Sequence, residues 1–376
     1  MSGLEYRIFE ELPAVLATRE RFGIPFQRLR ALLKPKLVLA SVPCGLVGDL
    51  LLHDYERQPD IALVHGLVGG GAWLFSNAVR YTYLLLPPDY MNTTSHRTAN
   101  DIAVTIRWPD TQHPVPVIVL CHGFCGIQEL LLPRFAEAFA LAGYAAVTFD
   151  YRGFGASGGE RGRLVPSMQI EDIHTVVAFV KERSDIDAAR VGLWGTSLGG
   201  GHVLGAAAGD PSIKAVVSQL GFADGEQVVT RNMTEAEKQA FVGTLERMHE
   251  KKLNTGKEMF VAIPKVMTDE QSKVFIEENR QRFPAMDIKI PFLTVREMLS
   301  YKPKEYAARV ACPVLVVVAG EDGVNPPNHG IALFEAVATT TKKLHVEETA
   351  GHYDMYDGPH FDSSIDKQID WFHQHV

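Results

Sequence analysis

The spacing of apolar residues changes character along the chain. Between Glu5 and Leu33 they fall at mixed helical spacing broken by Pro13, Gly23 and Pro25, and the pattern stays helical or loop-like through Tyr90. From Ser95 the period drops to two: Ile102, Val104 and Ile106 alternate with Ala103, Thr105 and Arg107, as on a strand. Short apolar runs then alternate with helical stretches. Val115–Cys121, Ala145–Asp150, Arg190–Trp194 and Ala215–Gln219 read as strands, with helices at Leu130–Ala142, Gln169–Glu182 and Leu198–Ala208. Pro313–Ala319 and Lys343–Glu347 add two strands, and Ile365–His373 a closing helix. Continuously apolar strands separated by helices predict an α/β fold, its mostly parallel sheet covered on both faces.

Gly221 to Arg309 breaks this alternation. Helical stretches at Thr234–Lys251 and Asp269–Arg282 carry most of its charge, with Phe241, Met248, Met259, Phe260 and Phe275 interleaved. So long a segment between two sheet strands is expected to be a lid over a pocket. The predicted organisation is a helical N-terminal extension over 1–96, an α/β core over 97–220 and 310–376, and a lid over 221–309.

Composition narrows the class of function. The 376 residues are 46% hydrophobic and 22% charged, the balance of a packed globule, with a net charge of −8 and no lysine or arginine block. Nucleic acid and anionic membrane are therefore not expected partners; a small apolar or neutral molecule is. Ile61–Phe75 is a conspicuously apolar stretch, but it holds His65 and four glycines and is shorter than the roughly 18 residues a membrane span needs. Cys44, Cys121, Cys125 and Cys312 form no CxxC pair and read as packing residues in a reducing compartment. The first residues carry Glu5, Glu10 and Glu11 rather than a basic segment before an apolar one, so the cytoplasm is the expected location. Metal-ligand spacings are absent and no cofactor is expected; a homodimer is compatible with the sequence.

The chemistry is concentrated at Arg190–Gly201, RVGLWGTSLGGG, where an apolar strand runs into Gly195-Thr196-Ser197-Leu198-Gly199 and then an apolar helix. A turn this sharp needs small residues two before and two after the serine, and it holds Ser197 out at the end of the sheet. A hydroxyl becomes a nucleophile only when a base takes its proton, so a histidine and an orienting carboxylate are required. Asp322 follows the strand 313–319, and His352 follows the next strand, both at C-terminal strand ends. Glu321 is the rival acid; Asp354 is too close to His352 in sequence to reach its far nitrogen. The oxyanion is expected on the backbone N–H groups of Leu198 and of Phe124, within Cys121-His122-Gly123-Phe124-Cys125. His122 reads as a structural hydrogen-bonder. Gly153, Gly155 and Gly158 match the G-x-G-x-x-G dinucleotide pattern, but no helix or later strand-ending acid follows, so a turn on the floor of the pocket is the better reading.

Five segments, HGF at 122–124, DYRGFGASGG at 150–159, GTSLGG at 195–200, GEDGVNPP at 320–327 and AGHYD at 350–354, together resemble the α/β-hydrolase superfamily. Within it they are most similar to the esterases and peptidase-like members near dienelactone hydrolase and the X-Pro acyl peptidases. The likeness runs from about Ala99 to the C-terminus apart from the insertion. It implies a serine esterase with the triad Ser197, Asp322 and His352, in that chain order, acting on a small acyl substrate. Acyl transfer through the same acyl-enzyme is the alternative chemistry, and a non-catalytic receptor on a hydrolase fold the alternative class.

Overall fold

The computed structural model describes residues 92–112 and 114–376. The helical reading of the N-terminal extension, Ile61–Phe75 and Cys44 lie outside the described residues. Eight strands form one sheet: β1 (Thr93–Arg97), β2 (Ala103–Arg107), β3 (Val115–Cys121), β4 (Ala145–Phe149), β5 (Ile186–Thr196), β6 (Ala215–Gln219), β9 (Val314–Ala319) and β10 (Lys342–Glu347). Their spatial order is β1-β2-β4-β3-β5-β6-β9-β10, with β1/β2 and β2/β4 antiparallel and every later pair parallel. This is the mostly parallel α/β sheet that the apolar runs predict. The first strand begins at Thr93, short of the boundary expected at residue 96.

Helices α1 (Leu132–Leu141), α2 (Pro166–Lys181) and α3 (Leu198–Gly209) cross between the early strands, and α9 (Pro327–Ala336) and α10 (Gly358–His375) follow β9 and β10. The two-residue period of each strand divides the core into layers. Val117, Val119 and Cys121 of β3 face the layer containing Ile173 of α2 and Val203 of α3. Ile118 and Leu120, one step out of phase, face Phe135 and Phe139 of α1 and Phe372 of α10. A strand buried on both faces cannot alternate apolar with polar, which is why these runs are continuous in sequence.

Residues 221–309 form α4 (Gly225–Thr230), α5 (Glu235–Thr255), β7 (Phe260–Ala262), α6 (Glu270–Asn279), β8 (Lys289–Pro291), α7 (Thr294–Ser300) and α8 (Pro303–Ala307). Thr234 begins α5 with a reciprocal capping box to Glu237, and Asp269 begins α6 by accepting from Ser272 N at 2.7 Å. The antiparallel pair β7–β8 is absent from the sequence expectation, since three-residue strands leave no readable period.

Charge fastens this insertion to the core. Arg163, in the loop after β4, reaches the two carboxylate oxygens of Glu258 at 2.9 and 2.5 Å, and Glu258 is buried between it and Lys252. Within the insertion, Lys302 joins its two ends by holding Asp224 at 2.6 Å and Glu226 at 3.0 Å. The DYRGFGASGG segment therefore does a different job from the one expected. It closes on itself through Gly153 N to Gly158 O at 2.6 Å, is held by Asp150 accepting from Ala156 N, and leads to the Arg163 anchor rather than lining the pocket at Ser197.

His202 ties three of these parts together, bonding Tyr301 Oη through Nδ1 at 2.7 Å and Gln169 Oε1 through Nε2 at 2.9 Å. Its burial pushes the imidazole down to about 3. Above pH about 6.5 neither folded nor unfolded chain protonates it; below, only the unfolded chain does. Stability is therefore expected to fall as pH drops below 6.5, by about 2 kcal/mol from this group at pH 5. Denaturant unfolding at pH 7.5 and pH 5 measures this, and His202→Gln should shrink the difference by that amount.

Candidate active site

Ser197 stands between β5 and α3 at φ 56° and ψ −122°, a backbone conformation that costs a side-chain-bearing residue about 1–3 kcal/mol. Its surroundings hold it there. Its N–H donates to Gln219 O on β6 at 2.9 Å, its carbonyl accepts from Gly200 N at 2.9 Å, and Thr196 Oγ1 bonds Tyr356 Oη at 2.6 Å. A Cβ at Gly195 would lie 2.2 Å from Gly199 O, and one at Gly199 would lie 2.3 Å from Cys121 O. The two glycines are thus required by backbone-to-backbone approach, as the spacing around Ser197 implies.

His352 follows β10 and Asp322 follows β9, and the parallel pairing of those strands places both loops at one sheet edge. His352 Nδ1 lies 2.7 Å from Asp322 Oδ2, with both side chains buried. The other carboxylate oxygen accepts from Val324 N at 2.8 Å and Asn325 N at 2.7 Å. An ionised carboxylate only accepts, so the network assigns the proton of a neutral imidazole to Nδ1 and leaves Nε2 as the basic nitrogen. Glu321 points to solvent, and Asp354 accepts from Gly351 N at 2.8 Å. Of the three acids considered, Asp322 is the one on the imidazole.

Ser197, His352 and Phe124 line one narrow pocket with Tyr353, Tyr356 and, from α6, Phe275. Leu198 opens α3, so its N–H has no carbonyl one turn back, and among the described residues no acceptor takes the N–H of Phe124 either. His122 is occupied structurally: Nδ1 accepts from Gly123 N at 2.7 Å and Nε2 donates to Leu130 O at 2.8 Å. That pattern fixes a neutral ring, and burial pushes it down to about 4. Burial pushes the Cys121 and Cys125 thiols up, so neither supplies a thiolate.

Two contributions are missing from the sequence reading. Asn325 Nδ2 donates to Leu220 O at 2.8 Å and to Ser197 Oγ at 3.4 Å, while its own N–H holds Asp322. Leu220 is itself at φ 54°, so a second strained residue presents the carbonyl that orients Asn325. An asparagine in a turn ordinarily bonds its own backbone, which hides this role. The other is α6. Gln271 Oε1 accepts from His352 N and Gly323 N, each at 3.4 Å; Ser272 Oγ bonds Tyr353 Oη at 3.1 Å; and Phe275 stacks on Tyr353 with centroids 4.1 Å apart.

Residues 116–359 match the family model described as alpha/beta hydrolase fold, and the chain belongs to that family. Over 286 residues it is 56% identical to the "Uncharacterized 31.7 kDa protein in traX-finO intergenic region" of Escherichia coli, covering 76% of this chain and all of that one. It is 30% identical over 276 residues to the "Quorum-quenching protein AidA" of Acinetobacter baumannii, covering 70% of this chain and 88% of the relative. It is 27% identical over 270 residues to the "Thiohydrolase aneE" of Aspergillus aculeatus, covering 68% and 84%. No helix among the described residues is long and apolar enough to cross a membrane.

The glycine contacts give a direct test. Gly199→Ala should destabilise the fold by about 1–3 kcal/mol or more, because its methyl group meets backbone rather than a side chain that can turn away. Gly256→Ala, at the open end of α5, should cost about 1 kcal/mol from backbone strain alone. Chemical denaturation of the two variants checks the ranking.

Proposed function

We propose that the protein is a serine hydrolase that cleaves a carboxylic ester, or a related thioester or lactone, of a largely apolar substrate through an acyl-enzyme. The observation that carries this reading is the buried His352 Nδ1 contact to Asp322 Oδ2 at 2.7 Å, with His352 opening on the pocket that holds the strained Ser197. In the proposed step Ser197 Oγ attacks the carbonyl carbon while His352 Nε2 takes its proton. Asp322 holds the ring and favours the imidazolium. The N–H groups of Leu198 and Phe124 stabilise the oxyanion, and the positive end of α3 adds to them. The imidazolium then protonates the leaving oxygen or sulfur; water, deprotonated by His352, releases the acid and restores Ser197.

In the resting arrangement Oγ takes its contact from Asn325, so the serine must turn toward His352 when substrate binds, as catalytic hydrogen bonds commonly tighten only in the complex. The relative named a thiohydrolase supports thioesters within the substrate class. Acyl transfer is the second reading, favoured by the narrowness of the pocket under α6, which limits water at the acyl-enzyme.

Ser197→Ala should abolish fluorophosphonate labelling and lower ester turnover by about 10⁶-fold while the fold persists. Asp322→Asn should lower kcat by about 10⁴-fold by favouring the wrong tautomer, whereas Glu321→Gln should leave it close to wild type. Steady-state kinetics on an activated ester decides; an undiminished Ser197→Ala enzyme would overturn the assignment. Added alcohol or amine that diverts most product from acid to ester or amide would favour transfer.

A further inference from the structure

The pocket at Ser197 is small. It offers about 40 Å³, so an acyl arm longer than a few heavy atoms extends beyond it. A second cavity of about 560 Å³ lies within the insertion, between α6, residues 262–264 at the end of β7 and residues 286–288 just before β8. Ile263, Ile276 and Met286 line both spaces, each buried and apolar. They are the partition between them, and the methionine, unbranched and flexible, is the member best able to yield.

The outer cavity has its own chemistry. Val274, Ile288 and Pro264 continue its apolar wall, while four carboxylates (Glu270, Glu277, Glu278, Asp287) and two cations (Lys273, Arg280) stand around it. Arg280 is paired with Glu277 at 2.8 Å and Lys273 faces Glu270 at 3.8 Å, so the surplus at this mouth is negative. An incoming carboxylate or phosphate would meet that surplus without a cation of its own.

Resting on the esterase reading above, we infer that the outer cavity receives the far end of an uncharged, medium- to long-chain acyl arm, which passes between Ile263, Ile276 and Met286 while its carbonyl sits at Ser197. Substrate choice is then set at two places. The inner pocket accepts any short acyl group, and the partition and outer cavity reward an apolar neutral extension.

The experiment compares 4-nitrophenyl acetate, 4-nitrophenyl decanoate and the mono-4-nitrophenyl ester of decanedioic acid on the wild type and on Ile276→Trp, Met286→Trp and Val274→Asp. Val274 is half exposed at the outer cavity, so that variant does not put folding at stake. Val274→Asp, outside the inner pocket, should lower kcat/KM for decanoate by about tenfold or more and change acetate by less than about twofold; the two tryptophan variants should lower the decanoate-to-acetate ratio of kcat/KM by about tenfold or more, and the wild type should disfavour the carboxylated chain by about tenfold. Equal losses on acetate and decanoate, no loss on either, or equal turnover of the carboxylated chain would overturn the inference. Binding separates this from the catalytic reading. Calorimetry of 2-dodecanone with Ser197→Ala needs no turnover: affinity should drop about tenfold on adding Met286→Trp, and undiminished affinity overturns the cavity assignment even in an active enzyme. Absence of both ester turnover and fluorophosphonate labelling in the wild type would instead remove the esterase reading while leaving the binding result to judge the cavity.

Discussion

A serine forced into a positive-φ turn is the constraint on which the centre of this molecule depends. The strain at Ser197 is repeated at Leu220 and Cys125, at φ 54° each, and all three lie where the C-terminal ends of β3, β5 and β6 meet. Strain of that kind survives only if neighbouring structure has no cheaper arrangement. Here the neighbours are adjacent strands of one sheet, buried between two apolar layers and linked by backbone hydrogen bonds such as Ser197 N to Gln219 O. Relaxing the turn would mean moving a strand, so the sheet's cohesion becomes the serine's orientation.

The same economy of alternatives governs the polar groups beneath it. Asp322 is buried, yet its two oxygens meet His352 Nδ1, Val324 N and Asn325 N, so its charge is matched by donors rather than by water. Asn325 takes part in that cradle with its backbone and touches Ser197 with its side chain. One residue thereby fixes the distance between the loop after β9 and the loop after β5. His122 shows the contrasting case, a histidine at the pocket whose two nitrogens are both consumed by backbone partners, leaving no lone pair for chemistry.

What could be read from sequence follows the range of the interaction. β3 and β6 were legible to the residue because strands buried on both faces are continuous apolar runs, and Thr234 and Asp269 marked helix starts because caps are local. The elbow was legible because its glycines and its flanking strand and helix are contiguous in the chain. Glu321 against Asp322 could be narrowed but not decided by sequence, since adjacent residues in a turn differ only in direction. Asn325 on Ser197 and Gln271 on the His352 loop were invisible, because each contact joins segments far apart in the chain. The role of the glycine-rich loop after β4 was misassigned for the same reason: its partner Glu258 lies 95 residues away.

Helix α6 contributes Phe275 and Ile276 to the wall of the pocket at Ser197. Its contacts make it a brace as well, since Gln271 spans the backbone of the acid and histidine loops, and Phe275 stacks on the residue after the histidine. On the proposed reading, substrate preference and chemical competence are therefore inherited together. A lineage exchanging this insertion for another would exchange the support of the Asp322 and His352 loops at the same moment, so on that reading diversification proceeds by single side-chain changes on the pocket side of α6 rather than by wholesale replacement of the insertion.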